Sequence, residues 1–170
     1  MKISTTFSIL LLVASANCLS HGVVEDQSST VIQSVSSIVS FAPVGQSFVP
    51  QHDRLSAVEL QMSDGGGFPV TAEVKLVLRK DTISGEIVGE SAPVFLEDCF
   101  NRPEPPGCGI GGGPTVPVKF IFSPSLTLAA GSTYTFEIFS IVAASVNVGM
   151  SYNDEYGNGS AILNGVPQGR

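Results

Sequence analysis

Hydrophobic and polar residues alternate with a period of two along much of this chain. The pattern is clearest over residues 70–79, where apolar residues occupy every second position and the charged residues Glu73, Lys75 and Arg79 lie between them. Successive side chains of a strand point to opposite faces, so the segment predicts a half-buried strand with one apolar face. A helix of the same residues would scatter its charges around the whole circumference.

The same alternation recurs in short segments that glycine, proline, asparagine and aspartate separate. The clearest alternating strands are predicted over 55–62, 70–79, 116–122, 134–138 and 146–152. Shorter strands are predicted over 46–49, 86–89, 93–96 and 160–163, with one or two edge strands within 22–42, and residues 126–128 lead into a turn at 129–131. About nine or ten strands at this spacing predict a single all-β domain, an antiparallel β-sandwich of jelly-roll type.

The first twenty residues predict an export signal. Lys2 supplies a positive start, and the apolar run over 7–14 is too short to span a bilayer. Cleavage after Ala16 and cleavage after Ser20 both fit the small residues there. We therefore expect residues 1–20 to be a signal peptide, residues 21–170 to be the domain, and the protein to be secreted without a transmembrane span.

Composition and charge narrow the range of partners. Hydrophobic residues make up 43% of the chain and charged residues only 14%, which argues against disorder. The formal net charge of −7 disfavours nucleic acid and anionic membrane surfaces, because their phosphates would repel an acidic protein. We expect a monomer.

Two of the three cysteines are expected to form a disulfide. Cys18 is lost with the signal, and Cys99 and Cys108 then close a small loop within a long connection over 97–116. An even number of cysteines in an exported chain favours a disulfide, and closing a loop of this size contributes about 2–3 kcal/mol to stability.

Residues suited to catalysis are scarce. A nucleophile needs a base within hydrogen-bond reach, and the one credible histidine, His52, lies in a polar turn after Pro50 that is typical of a solvated loop, with part of a site as the alternative. Glu59, Glu73 and Glu137 are expected on solvent-exposed strand faces, and sequence alone does not bring two of them together. We expect no catalytic residues, and a glycoside-type hydrolase is the less favoured alternative.

Calcium is the candidate cofactor. Glu25 and Asp26 near the start and Asp154 and Glu155 near the end offer the oxygen ligands that hard cations prefer. A jelly roll would bring its first and last strands together, so the two clusters are candidate calcium ligands. Each cluster alone is also typical of a charged turn.

Aromatic and polar residues on two connections are the candidate ligand-binding residues. A pyranose ring stacks on an aromatic face, and the other aromatic residues are mostly expected in the core. The candidates are Tyr152, Asn153, Asp154, Tyr156, Phe100 and Arg102. Asn158 begins an Asn-Gly-Ser sequence, which is a glycosylation acceptor in a eukaryotic host and an ordinary turn otherwise.

Several short motifs resemble a loose class of exported bacterial proteins with one β-sandwich domain, the choice-of-anchor or sorting-signal proteins. The motifs are EDQ at 25–27, GQSF at 45–48, LSAVEL at 55–60, LTLAAGSTY at 126–134 and YGNGSA at 156–161. The class is similar to carbohydrate-binding jelly rolls, and the resemblance implies an extracellular module. Such proteins often end in an anchor helix with a basic tail, which the last residues here do not form.

The function that these observations favour is a non-catalytic extracellular binding module for carbohydrate or a matrix partner. Long polar loops on a rigid sandwich are the kind of element that carries binding sites. A structural or adhesive surface protein without a small ligand is the alternative.

Overall fold

The computed structural model describes residues 25–27, 31–65, 71–97, 115–142, 145–151 and 159–168. Within these ranges the chain forms strands and turns, and no helix is present that is long and apolar enough to cross a membrane. The strands are β1 (Ser34–Ser37), β2 (Val44–Phe48), β3 (Arg54–Asp64), β4 (Ala72–Lys80), β5 (Ile87–Glu90), β6 (Val94–Leu96), β7 (Val116–Thr127), β8 (Tyr134–Val142), β9 (Val146–Met150), β10 (Ala161–Leu163) and β11 (Val166–Pro167).

The strands form two antiparallel sheets. The four-stranded sheet has the order β1-β9-β3-β7. The seven-stranded sheet has the order β11-β10-β2-β8-β4-β5, and β6 also pairs with β4. The prediction of an all-β antiparallel sandwich is confirmed, with eleven strands among the described residues instead of nine or ten. The jelly-roll strand order stays a prediction.

The core lies between the apolar faces of the two sheets. The four-stranded sheet contributes Met62 and Phe120, and the seven-stranded sheet contributes Leu76, Leu78 and Ile138. Along β4, buried residues alternate with partly exposed ones from Ala72 to Leu76, as the period-two pattern predicts. Alternation therefore locates the inner face of this strand correctly.

Several strand ends differ from the prediction. The strand predicted over 116–122 continues to Thr127 as β7, because β3 is long enough to pair with its far end as well. A register shift between Leu55 and Ala57 of β3 accommodates the irregular middle of that ladder. The alternation stops at Ile138, yet β8 continues to Val142, since β4 pairs with its last residues.

Candidate functional site

Most of the predicted site residues lie outside the part of the chain that the structure describes. Tyr152, Asn153, Asp154, Glu155, Tyr156, Asn158, Phe100, Arg102, Cys99 and Cys108 lie outside the described residues. The disulfide, the glycosylation site and the aromatic ligand-binding loops therefore stay predictions.

The first candidate calcium cluster makes contacts within the protein. Both carboxylate oxygens of Asp26 accept hydrogen bonds from the Gln51 backbone N–H, at 3.2 and 3.1 Å. The Gln27 side chain donates to the Val49 carbonyl at 2.6 Å, so residues 26–27 hold the connection between β2 and β3. Glu25 is exposed. Among the described residues no three His, Cys, Asp or Glu side chains are grouped as metal ligands would be; the calcium site stays a prediction.

A groove opens in the seven-stranded sheet where β2 begins. The last residue pair between β2 and β8 is Val44 with Ile138, and no described strand lies beside the rest of β8 on that side. Ile38, Val39, Ala42 and Pro43, in the connection between β1 and β2, form the opposite wall. The space between them is about 390 Å³ in volume, near the lower end of the range of about 300–1,000 Å³ that is usual for ligand sites. Its lining residues are Ile38, Val39, Ala42, Pro43, Glu137, Ile138, Phe139 and Ser140.

Phe139 presents an aromatic ring at this groove. Its side chain is 46% exposed, and it lies on the outer face of the seven-stranded sheet. Lys75 is its direct neighbour on β4, and the Lys75 ammonium lies 5.6 Å from the centre of the ring. A cation at this distance is attracted to the face of the ring. The groove thus has an aromatic ring with a neighbouring cation on one wall.

Two ion pairs lie near Phe139 on the same face, and each joins β4 diagonally to a different neighbouring strand. The Arg79 guanidinium donates two hydrogen bonds to one carboxylate oxygen of Glu137, at 3.2 and 3.0 Å. The Lys75 ammonium bonds Glu90 at 2.5 Å. Val77 lies between the two pairs and is only 3% exposed, although it faces outwards. The stems of these charged side chains therefore cover apolar surface on the outer face.

The expectation that Glu137 is freely exposed was wrong. Its side chain is only 14% exposed, because Arg79 binds it and the groove wall encloses it. Glu137 pairs in register with Val77 of β4. Val77 lies four residues from Glu73 along the same strand, a distance of about 13 Å between their Cα atoms. Paired carboxylates in glycoside hydrolases are separated by about 5–10 Å. Arg79, which binds the Glu137 carboxylate, lies beyond Val77 from Glu73 along β4, so the Glu137 side chain points away from Glu73 and the two do not form such a pair.

Sequence reasoning missed Phe139, although the chain carries a signal for it. From Tyr134 to Ile138 the residues of β8 at even positions face the core, and Phe139 occupies an odd position. A phenylalanine at a position that alternation assigns to solvent is a candidate for binding. The prediction ended this strand at residue 138 and so left Phe139 out of the pattern.

We expect the replacement of Arg79 by alanine to lower the free energy of unfolding by about 1–2 kcal/mol. The substitution leaves the enclosed Glu137 carboxylate without its cation, and both side chains are partly exposed, so the cost is smaller than for a fully buried pair. Urea unfolding measures the change. Lys119→Ala is the control. Lys119 of β7 pairs in register with Glu59 of the neighbouring strand β3, and both residues are exposed. The expected cost of this substitution is therefore below about 0.5 kcal/mol. Equal costs for the two variants would contradict the assignment.

Protein-family models, curated proteins and solved structures were compared with this chain, and no match was found in any of the three comparisons.

Proposed function

We propose that this chain is a non-catalytic extracellular binding module, that its ligand is a carbohydrate, and that the groove beside β8 is the binding site. The observation that carries the proposal is the exposed Phe139 ring on the wall of a groove that also contains a carboxylate. The predicted export signal supports the location. The predicted ligand-binding loops are not part of this proposal.

The chemistry of the groove suits a sugar ring. One face of a pyranose consists largely of C–H groups, and covering it with the Phe139 ring removes apolar surface from water. The hydroxyl groups at the edge of the sugar need hydrogen-bond partners. The Glu137 carboxylate accepts such bonds, and so does the Ser140 hydroxyl oxygen on the same wall. A mostly apolar groove with a few polar groups is the usual composition of a small-molecule site.

The groove is also held in shape before any ligand arrives. Arg79 holds Glu137 from one side and also donates to the Gly85 carbonyl at 3.2 Å. The Ser140 hydroxyl donates to the Val142 carbonyl at 2.7 Å. Polar groups fixed in this way lose little conformational entropy when a ligand binds, which favours affinity.

We expect Phe139→Ala to weaken glycan binding at least about tenfold. The loss corresponds to the burial of one phenyl face, about 1.5 kcal/mol or more. A glycan array identifies the ligand, and isothermal titration with the best ligand measures the change. Ile121→Ala is the matched control, because Ile121 is similarly exposed but lies on the outer face of the other sheet. Binding to no glycan, or equal affinity of the Phe139→Ala variant and the wild type, would refute the proposal.

A specific observation also favours the second candidate, a structural or adhesive surface protein. Large apolar side chains are exposed on both sheets, including Ile87 on the seven-stranded sheet and Ile121 on the four-stranded sheet. On the seven-stranded sheet the exposed Phe95 and Val142 both flank Glu73, and neighbouring exposed apolar side chains of this kind are typical of association between proteins. Sedimentation over a range of concentrations distinguishes the candidates: self-association without glycan binding supports the adhesive protein.

A further inference from the structure

We infer that the ligand of the groove is an uncharged glycan chain that extends from Phe139 across β4 to Phe95, which serves as a second aromatic platform. This inference rests on the proposed function. It adds Phe95 of β6 as a second binding residue. It also specifies that the ligand is a chain of several sugars and that this chain carries no charge.

Phe95 and Phe139 lie on the same face of the seven-stranded sheet. Phe95 of β6 pairs in register with Glu73, and Phe139 of β8 pairs with Lys75. Glu73 and Lys75 are two residues apart on β4, so they point to the same side, and residues paired across antiparallel strands also share a side. The buried residues of β4, Ala72, Val74 and Leu76, point to the other side. Both rings therefore face outwards.

The two rings are separated by a distance that suits an oligosaccharide. They are two strand spacings apart across the sheet and two residues apart along it, which places their Cα atoms about 12 Å from each other. One sugar ring is too short to contact both phenylalanines, whereas a chain of several sugars contacts both. Phe95 is 64% exposed and so offers more ring surface than Phe139.

The charges between and beside the rings disfavour an anionic glycan. Lys75 and Arg79 are each bonded to a carboxylate, of Glu90 and Glu137 respectively, so neither cation is available without breaking an ion pair. Glu73 lies next to Phe95 and adds a negative charge on the path between the rings. A sulfated or uronic chain would meet net negative charge here, on a protein whose formal net charge is −7. A neutral chain is not repelled.

The experiment uses an array of neutral glucan, xylan, mannan and galactan oligosaccharides in length series, together with heparin and polygalacturonate. We expect the wild-type chain to bind neutral chains and its signal to rise with length. Phe95→Ala should lower affinity for long chains at least about tenfold and leave short chains unchanged. Phe139→Ala should weaken binding to both. Ile121→Ala serves again as the control for an exposed apolar residue, and thermal unfolding confirms that each variant is folded.

The outcomes separate this inference from the proposed function. Glycan binding that prefers heparin or polygalacturonate, or that is insensitive to Phe95→Ala at every length, overturns the inference and leaves the proposed function intact. Binding to no glycan in either class overturns the proposed function itself. A length-dependent effect of Phe95→Ala on neutral chains alone supports both.

Discussion

Replacing Phe120 by alanine will lower the free energy of unfolding by about 3–5 kcal/mol, the usual cost of removing a fully buried phenylalanine. Phe120 is fully buried and lies on β7, paired with Val58 of the neighbouring strand. The substitution removes apolar surface from the core and leaves a cavity that the two rigid sheets can fill only partly. A typical domain of this size is stable by only about 5–15 kcal/mol, so much of its stability is lost.

The next residue along the strand provides the control. Ile121 points to the opposite face and is 51% exposed, so Ile121→Ala should cost less than about 1 kcal/mol. Guanidinium unfolding of both variants measures the difference. If the two variants lost similar stability, the inner and outer faces of β7 would be assigned wrongly.

The second large effect is expected at Gly45 of β2. A Cβ atom at this position would overlap the backbone carbonyl oxygen of Phe136 on β8. The overlap is with backbone, so no side-chain rotation relieves it, and β2 and β8 must move apart. We expect Gly45→Ala to cost about 3 kcal/mol or more, at or above the upper end for overpacking of a core position.

Gly131 separates this steric effect from the general cost of replacing a glycine. Gly131 has a φ of +79°, and a Cβ there would meet no atom within 4 Å. Gly131→Ala therefore carries only the strain of a left-handed backbone, about 1–2 kcal/mol. Thermal unfolding compares the two variants, and hydrogen exchange should show faster opening of β2 only in Gly45→Ala. Equal losses in both would mean that β2 and β8 do not approach each other this closely.

The sequence partly indicates the close contact between the backbones of β2 and β8 at Gly45. A glycine inside a strand often marks a place where another backbone comes close. The prediction began this strand at Gln46 and so left Gly45 outside it. Which backbone approaches Gly45 depends on the pairing of β2 with β8, and these strands are separated by more than eighty residues.

The candidate site shows the same division between local and long-range information. Phe139 occupies a strand position that alternation assigns to solvent, so it could be identified as unusual from local sequence alone. Phe95 could not, because Val94, Phe95 and Leu96 are all apolar and do not alternate. Their presence on one face follows from the pairing of both β6 and β8 with β4. The bond between Arg79 and Glu137 joins residues 58 positions apart, and no local pattern indicates it.

The sequence by itself determined the all-β class, the approximate strand positions and much of the inner face. These properties follow from the alternation of side chains along an extended backbone and from turn residues, which act over a few neighbouring positions. Only the tertiary structure decided the strand order, the close contact at Gly45, the two ion pairs of β4 with its neighbouring strands, and the groove beside Phe139. Each of these depends on which distant strands become neighbours and in which register, and that choice is made by packing of the whole core.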